Sequence, residues 1–112
     1  DFLDEILKQL TRIINRIIRP GDRIGRYGGD EFIILLKQTE LAKAVQIAER
    51  IRQTIWAYKF RFNKQTISIS ISIGVAQSED HETLDGLLQR ADHQLYLSKE
   101  NGRNQVSPAI EN

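Results

Sequence analysis

Arg26-Tyr27-Gly28-Gly29-Asp30-Glu31-Phe32 is the stretch from which the rest of this chain is read. Strand-like segments flank it, Arg23–Arg26 before and Phe32–Leu36 after, so the paired glycines predict a tight hairpin. A two-residue turn needs positive φ at both corners, which glycine adopts without a Cβ clash. The same missing Cβ lets a phosphate approach the backbone. Successive strand residues face opposite sides, so Asp30 and Glu31 have different tasks. One can hold Mg²⁺ while the other meets a substrate hydroxyl or a second nucleotide group. Turn chemistry alone also allows an ordinary Gly-Gly hairpin with solvated acids.

Upstream, Leu3, Ile6, Leu7, Leu10, Ile13, Ile14, Ile17 and Ile18 recur at three- and four-residue intervals, which predicts an amphipathic helix over about 2–18 that Pro20-Gly21 stops. Downstream, Thr39 is the expected N-cap of a second helix, with Glu40 in its first turn and Leu41, Ala44, Val45, Ala48, Ile51 and Ile55 on its apolar face. Residues 58–62 and 66–76 predict a second hairpin turning near Asn63-Lys64. In it Ile67, Ile69, Ile71, Ile73 and Val75 alternate with Ser68, Ser70, Ser72 and Gly74, so one face is branched and apolar and the other small. Leu84, Leu87, Leu88, Ala91 and Leu95 predict a third helix over 83–100, stopped at Asn101-Gly102, with a short edge strand near Gln105–Ser107. The order α-ββ-α-ββ-α-β is an α+β arrangement of helices on a largely antiparallel sheet.

Composition bounds the rest. The 112 residues suffice for one core, and 40% hydrophobic with 28% charged residues is the balance of a soluble globular domain. No apolar run approaches the roughly 20 residues that span a bilayer. The absence of cysteine excludes disulfides, thiol catalysis and thiolate metal sites. A net charge of +1 offers no general field for polyanions, which speaks against nucleic acid as a partner and leaves any nucleotide to local basic groups. His81 and His93 have no companions at metal-ligand spacing and are expected at the surface, and Trp56 and Tyr58 in the core or at its margin. Met is absent and the chain opens on Asp1, which predicts a piece of something longer.

The Arg26–Phe32 string resembles the signature of the GGDEF family, the diguanylate cyclases, which join two GTP molecules into cyclic di-GMP. Further matches recur at that family's spacings: Arg19-Pro20-Gly21-Asp22, Ala48-Glu49-Arg50-Ile51-Arg52, Ser72-Ile73-Gly74-Val75, Arg90-Ala91-Asp92, Leu95-Tyr96 and Lys99-Glu100-Asn101-Gly102-Arg103-Asn104. The resemblance covers nearly the whole chain. It implies a ferredoxin-like, nucleotide-cyclase palm over 1–107, with 108–112 as a tail. It also implies that the family's opening strand and helix, with a metal-binding aspartate and a guanine-contacting asparagine, precede Asp1. Without them the fragment is expected to be weak or inactive, with bare strand edges that favour swapping or dimerisation.

The resemblance implies roles residue by residue. Gly28 and Gly29 border the GTP phosphates, Asp30 ligates Mg²⁺ (or Mn²⁺), and Glu31 stands at the catalytic centre beside the attacking hydroxyl. Lys99 and Arg103 converge on the phosphate tail, although a Lys and an Arg at a helix C-terminus also simply complement its dipole. Asp4 matches the family's guanine-reading acid, suited to the parallel donors N1–H and the 2-amino group; the family usually has glycine where Leu3 stands. Its plain alternative is an acid favoured at a helix N-terminus. Arg19 and Asp22, with Arg50, match the family's inhibitory cyclic di-GMP site, since guanidinium forks suit phosphate and the Hoogsteen edge of guanine; the plain alternative is a local ion pair. The expected partners are GTP, cyclic di-GMP and a second copy of the chain, in bacterial cytoplasm, with membrane attachment only through other parts of the parent. A receptor that binds cyclic di-GMP without catalysis is the alternative.

Overall fold

The computed structural model describes residues 1–28 and 31–110; the side chains of residues 26–31 lie outside the description. Helix α1 (Phe2–Ile17) starts on Asp1, whose carboxylate accepts from the Asp4 N–H at 3.3 Å, and carries Asp4 and Glu5 where the helix dipole favours acids. Its apolar stripe supplies Ile6, Leu7, Leu10, Ile13 and Ile14 to the main core. The chain turns at Gly21, φ 95°, into strand β1 (Arg23–Gly28), which pairs antiparallel with β2 (Glu31–Leu35). The ladder runs from Arg23 opposite Leu35 to Gly28 opposite Glu31, with an irregularity between Arg26 and Gly28. Gly28 therefore belongs to the strand. The residues between the paired ends, Gly29 and Asp30, lie outside those described.

Helix α2 (Leu41–Ala57) has two seams. Ile51 and Ile55 meet α1 and Phe60 in the main core, while Val45 and Ala48 meet Val106 in a second cluster. Its N-cap is Glu40, with no side-chain hydrogen bond, and not Thr39 as the sequence predicts. The reason lies in tertiary contacts. The Thr39 hydroxyl donates to the Lys37 carbonyl at 2.8 Å and accepts from Arg19 Nη2 at 2.7 Å, and the Leu41 N–H is satisfied instead by Gln77 Oε1 at 2.9 Å.

Strands β3 (Phe60–Phe62) and β4 (Gln65–Ile67) form the second hairpin, whose turn residues Asn63 and Lys64 both have positive φ, 50° and 66°. The buried amide of Gln9 lies along β3 like a further strand, donating to the Arg61 carbonyl at 3.0 Å and accepting from its N–H at 3.5 Å. The expected continuous strand over 66–76 is interrupted. After β4, pairing resumes only at β5 (Ile73–Gly74), which runs parallel to β6 (Val106–Ser107), so among the described residues the ladders are three two-stranded pairs and not all antiparallel. Side-chain alternation persists through the unpaired stretch: Ile69 and Ile71 lie against the core while Ser68 and Ser70 are exposed.

Helix α3 (Leu84–Glu100) is capped by Thr83, whose hydroxyl accepts from the Gly86 N–H at 3.0 Å. It covers the small face of β5. Ile73 and Val75 point to the α2 clusters, and Gly74 faces Ala91 and Leu95. Ser98, fully buried, ties the three elements by donating to the Ile73 carbonyl and pairing with the Ser107 hydroxyl, both at 2.8 Å. Leu84 departs from the predicted apolar face and is 63% exposed, because it opens the helix beyond the reach of β5. Trp56, 51% exposed, lies outside the core as well, whereas Tyr58 keeps an edge-on contact with the buried ring of Phe60, centroids 4.8 Å apart. His81 and His93 are exposed.

Candidate nucleotide site

Between α1 and the β1–β2 hairpin runs a groove of about 470 Å³, a size that accepts a nucleoside. Helix α1 contributes Asp4, Leu7, Lys8, Thr11 and Arg12; Ile24 and Gly25 come from β1 and Phe32 from β2. Leu7, Ile24 and Phe32 make one side of the groove apolar, and Asp4 adds a carboxylate to its lining. Because Asp4 is exposed and has no salt-bridge partner among the described residues, its acceptor oxygens remain open to a ligand. Lys8, Thr11 and Arg12 escaped the sequence reading. Their signal is periodic: positions four, seven and eight after Asp4 fall on one helix face.

The groove thus joins one predicted residue, Asp4, to the strand that enters the hairpin at Glu31. Gly29 and Asp30, and the side chain of Glu31, lie outside the described residues. The described residues hold no cluster of three His, Asp or Glu that could take a metal, and Asp30, the residue expected to ligate Mg²⁺, lies outside them. Lys99 and Arg103 do not line the groove. They stand exposed at the C-terminal end of α3, brought onto one turn by the bond from the Arg103 N–H to the Ser98 carbonyl, 2.9 Å.

Arg19 and Asp22 form a built ion pair. The Asp22 side chain is 2% exposed and accepts from the Arg19 N–H at 2.9 Å, from Arg19 Nε at 3.2 Å and Nη2 at 3.4 Å, and from the Lys37 N–H at 3.1 Å. Burial pushes its carboxyl up, but these donors together outweigh burial and hold it below the ordinary value. The Arg19 side chain, 51% exposed, uses Nη2 also on the Lys37 carbonyl and Thr39, and its Nη1 makes no hydrogen bond among the described residues. Arg50 lies on the open face of α2 and makes no bond to that pair.

A larger cleft of about 660 Å³ opens between the start of α2, residues 75–79 and α3, and contains none of the predicted residues. Its one guanidinium, Arg90, is spent on Glu82 at 2.7 Å, on Glu79 at 3.7 Å and on the Gln77 carbonyl. The same pairing lowers Glu82 from 4.5 to about 2. Glu49 is lowered too, chiefly by its hydrogen bonds from Arg52. Asp22, Glu49 and Glu82 all bind protons less readily folded than unfolded, so their contribution is complete above the unfolded carboxylate range and disappears as pH falls through the folded values. The melting temperature is therefore expected to drop steadily between about pH 4.5 and 2. Glu82→Gln should flatten that slope, and a slope unchanged by the substitution would refute the assignment.

The family model described as diguanylate cyclase, GGDEF domain, matches residues 1–105. The chain belongs to the GGDEF family. Diguanylate cyclase A of Treponema denticola is 39% identical to this GGDEF domain over 105 residues, covering 93% of the chain and 28% of the relative. Among solved structures, the GGDEF domain of YfiN (TpbB) from Pseudomonas aeruginosa superposes with a TM-score of 0.87 at 33% identity, over 97% of this chain and 69% of that one. The GGDEF domain of DgcB from Caulobacter crescentus, in complex with cyclic di-GMP, superposes with a TM-score of 0.86 at 28% identity, over 97% and 65%. The chain spans about a quarter of the length of the curated relatives it matches, 28% and 23% in two of them. Among the described residues no helix is long and apolar enough to cross a membrane.

Proposed function

We propose that this GGDEF domain is a diguanylate cyclase that condenses two GTP molecules into cyclic di-GMP and releases two pyrophosphates. The observation that carries the reading is the groove that sets the open carboxylate of Asp4 beside an apolar wall leading to the Glu31–Phe32 strand. The 3′-hydroxyl of each nucleotide attacks the α-phosphate of the other, so catalysis is largely the positioning of two nucleotides and the neutralisation of their phosphates. Asp4 accepts from guanine N1–H and the 2-amino group. Gly28 and Gly29 border the phosphates, Glu31 accepts the proton of the attacking hydroxyl, and Lys99 with Arg103 offsets the negative charge of the tail. A bound Mg²⁺ or Mn²⁺, held by Asp30, supplies further positive charge there. Two copies face each other, each bringing one GTP, which suits a two-fold symmetric product. Cyclic di-GMP inhibits by occupying Arg19, Asp22 and Arg50. The half-exposed side chain of Arg19, its guanidinium already fixed by Asp22, supports that assignment.

The test is product formation from GTP and Mg²⁺, together with calorimetric uptake of GTP and ATP by the wild type and Asp4→Asn. The amide of Asn sets an N–H₂ against the guanine donors, so GTP uptake is expected to weaken by about 10–100-fold and the preference over ATP to shrink. Equal GTP affinity in both proteins would remove Asp4 from the base site. Because this chain alone is expected to turn over GTP weakly or not at all, the deciding measurement is made on the full-length protein, where cyclic di-GMP uptake with no turnover of GTP would replace the cyclase with a receptor.

A further inference from the structure

Beyond α3 the chain takes three consecutive residues through the left-handed region: Gly102 at φ 115°, Arg103 at 63° and Asn104 at 50°. The last two are not glycine, so this backbone is disfavoured unless its surroundings impose it. The imposing bonds are on hand. The Asn104 N–H donates to the Ser72 hydroxyl at 3.1 Å, and Gln105 Nε2 donates to the Arg103 and Asn101 carbonyls at 3.0 and 2.9 Å. From α2, Arg52 Nη1 donates to Asn104 Oδ1 at 2.9 Å and to the Asn104 carbonyl at 3.4 Å.

Arg52 is itself aimed. Glu49, one turn earlier on α2, takes its Nε at 2.6 Å and its Nη2 at 2.9 Å, a fork-on-fork pair with side chains only 16% and 24% exposed. A helical ion pair made for α2 alone would need no third partner. Here the remaining edge of the guanidinium grips a loop 52 residues away in sequence, next to Arg103.

We infer that Arg52, oriented by Glu49, is a positioning residue that sets the direction of Arg103 toward the nucleotide's phosphate chain by holding Asn104. The inference rests on the proposed phosphate role of Arg103. Its test is calorimetry on the intact protein with Mg²⁺, comparing α,β-methylene GTP, whose bridge cannot release pyrophosphate, with GMP, which lacks the tail. The affinity ratio between them reads the tail's contribution. Arg103→Ala is expected to lower that ratio about tenfold. Arg52→Met should lower it roughly three- to tenfold, and the double variant should fall no further than Arg103→Ala alone, since both act on one interaction. Asn104→Gly keeps the left-handed backbone while removing the Oδ1 acceptor, and should lower the ratio in the same direction even if Arg52→Met does not fold. Should Arg103→Ala lower the ratio while the Arg52 and Asn104 variants only melt earlier, or add to it in the double variant, the positioning role is wrong and the phosphate role survives. Should Arg103→Ala leave the ratio intact, both fall.

Discussion

Gly74→Ala is expected to cost about 3 kcal/mol or more and to lower the melting temperature by more than about 10 °C. A Cβ at residue 74 would press on the Leu95 nitrogen and the Ala91 carbonyl oxygen well inside van der Waals contact, and lie 2.7 Å from Leu95 Cα. All three are main-chain atoms of α3, so no rotamer change relieves them. The helix must lift from β5, which opens the seam that Ser98 closes with Ile73 and Ser107. Gly25→Ala is the control, because a Cβ there meets nothing within 4 Å. Thermal melting of the two variants decides it. Equal melting temperatures would mean that α3 does not need the bare backbone of residue 74.

In the full-length protein, Glu31→Gln is expected to cut cyclic di-GMP formation by about 10²–10⁴-fold. Glutamine keeps the volume and polarity of the side chain but removes its charge and its capacity to take a proton. The main chain at residue 31 is paired with Gly28 at the end of the β1–β2 ladder, a register that the substitution leaves in place. Calorimetric uptake of GTP should therefore persist while product formation disappears. A variant that still turns over at near wild-type rate would assign the proton transfer to another group, and a variant that loses nucleotide uptake as well would make Glu31 a binding residue.

The three helices were legible because each carries a 3.6-residue apolar repeat between recognisable stops, Pro20-Gly21 after α1 and Asn101-Gly102 after α3. The N-cap of α2 was not, because the Thr39 hydroxyl bonds back to the Lys37 carbonyl and accepts from Arg19, 20 residues away, a contact that no local rule contains. Likewise Asp4 could be singled out, yet its groove-mates Lys8, Thr11 and Arg12 acquire meaning only when β1 and β2 stand opposite them. The Arg19-x-x-Asp22 spacing suggested both a ligand site and an ion pair. The structure builds the ion pair and leaves the Arg19 side chain half exposed.

By itself the sequence determined the α+β class of this chain and the hairpin between β1 and β2, and its motif spacings placed it in the GGDEF family. Local periodicity and turn chemistry suffice for that, since they act over a few residues. Only the tertiary structure decided that the alternating stretch from Ile67 to Val75 pairs at its two ends and not between, that β5 and β6 run parallel, and that Arg52 grips the loop carrying Arg103. Hydrogen-bond pairing depends on which backbone lies alongside, and residues 52 positions apart become neighbours only when the burial of Ile51, Ile55, Val45 and Val106 has drawn the helices and strands together.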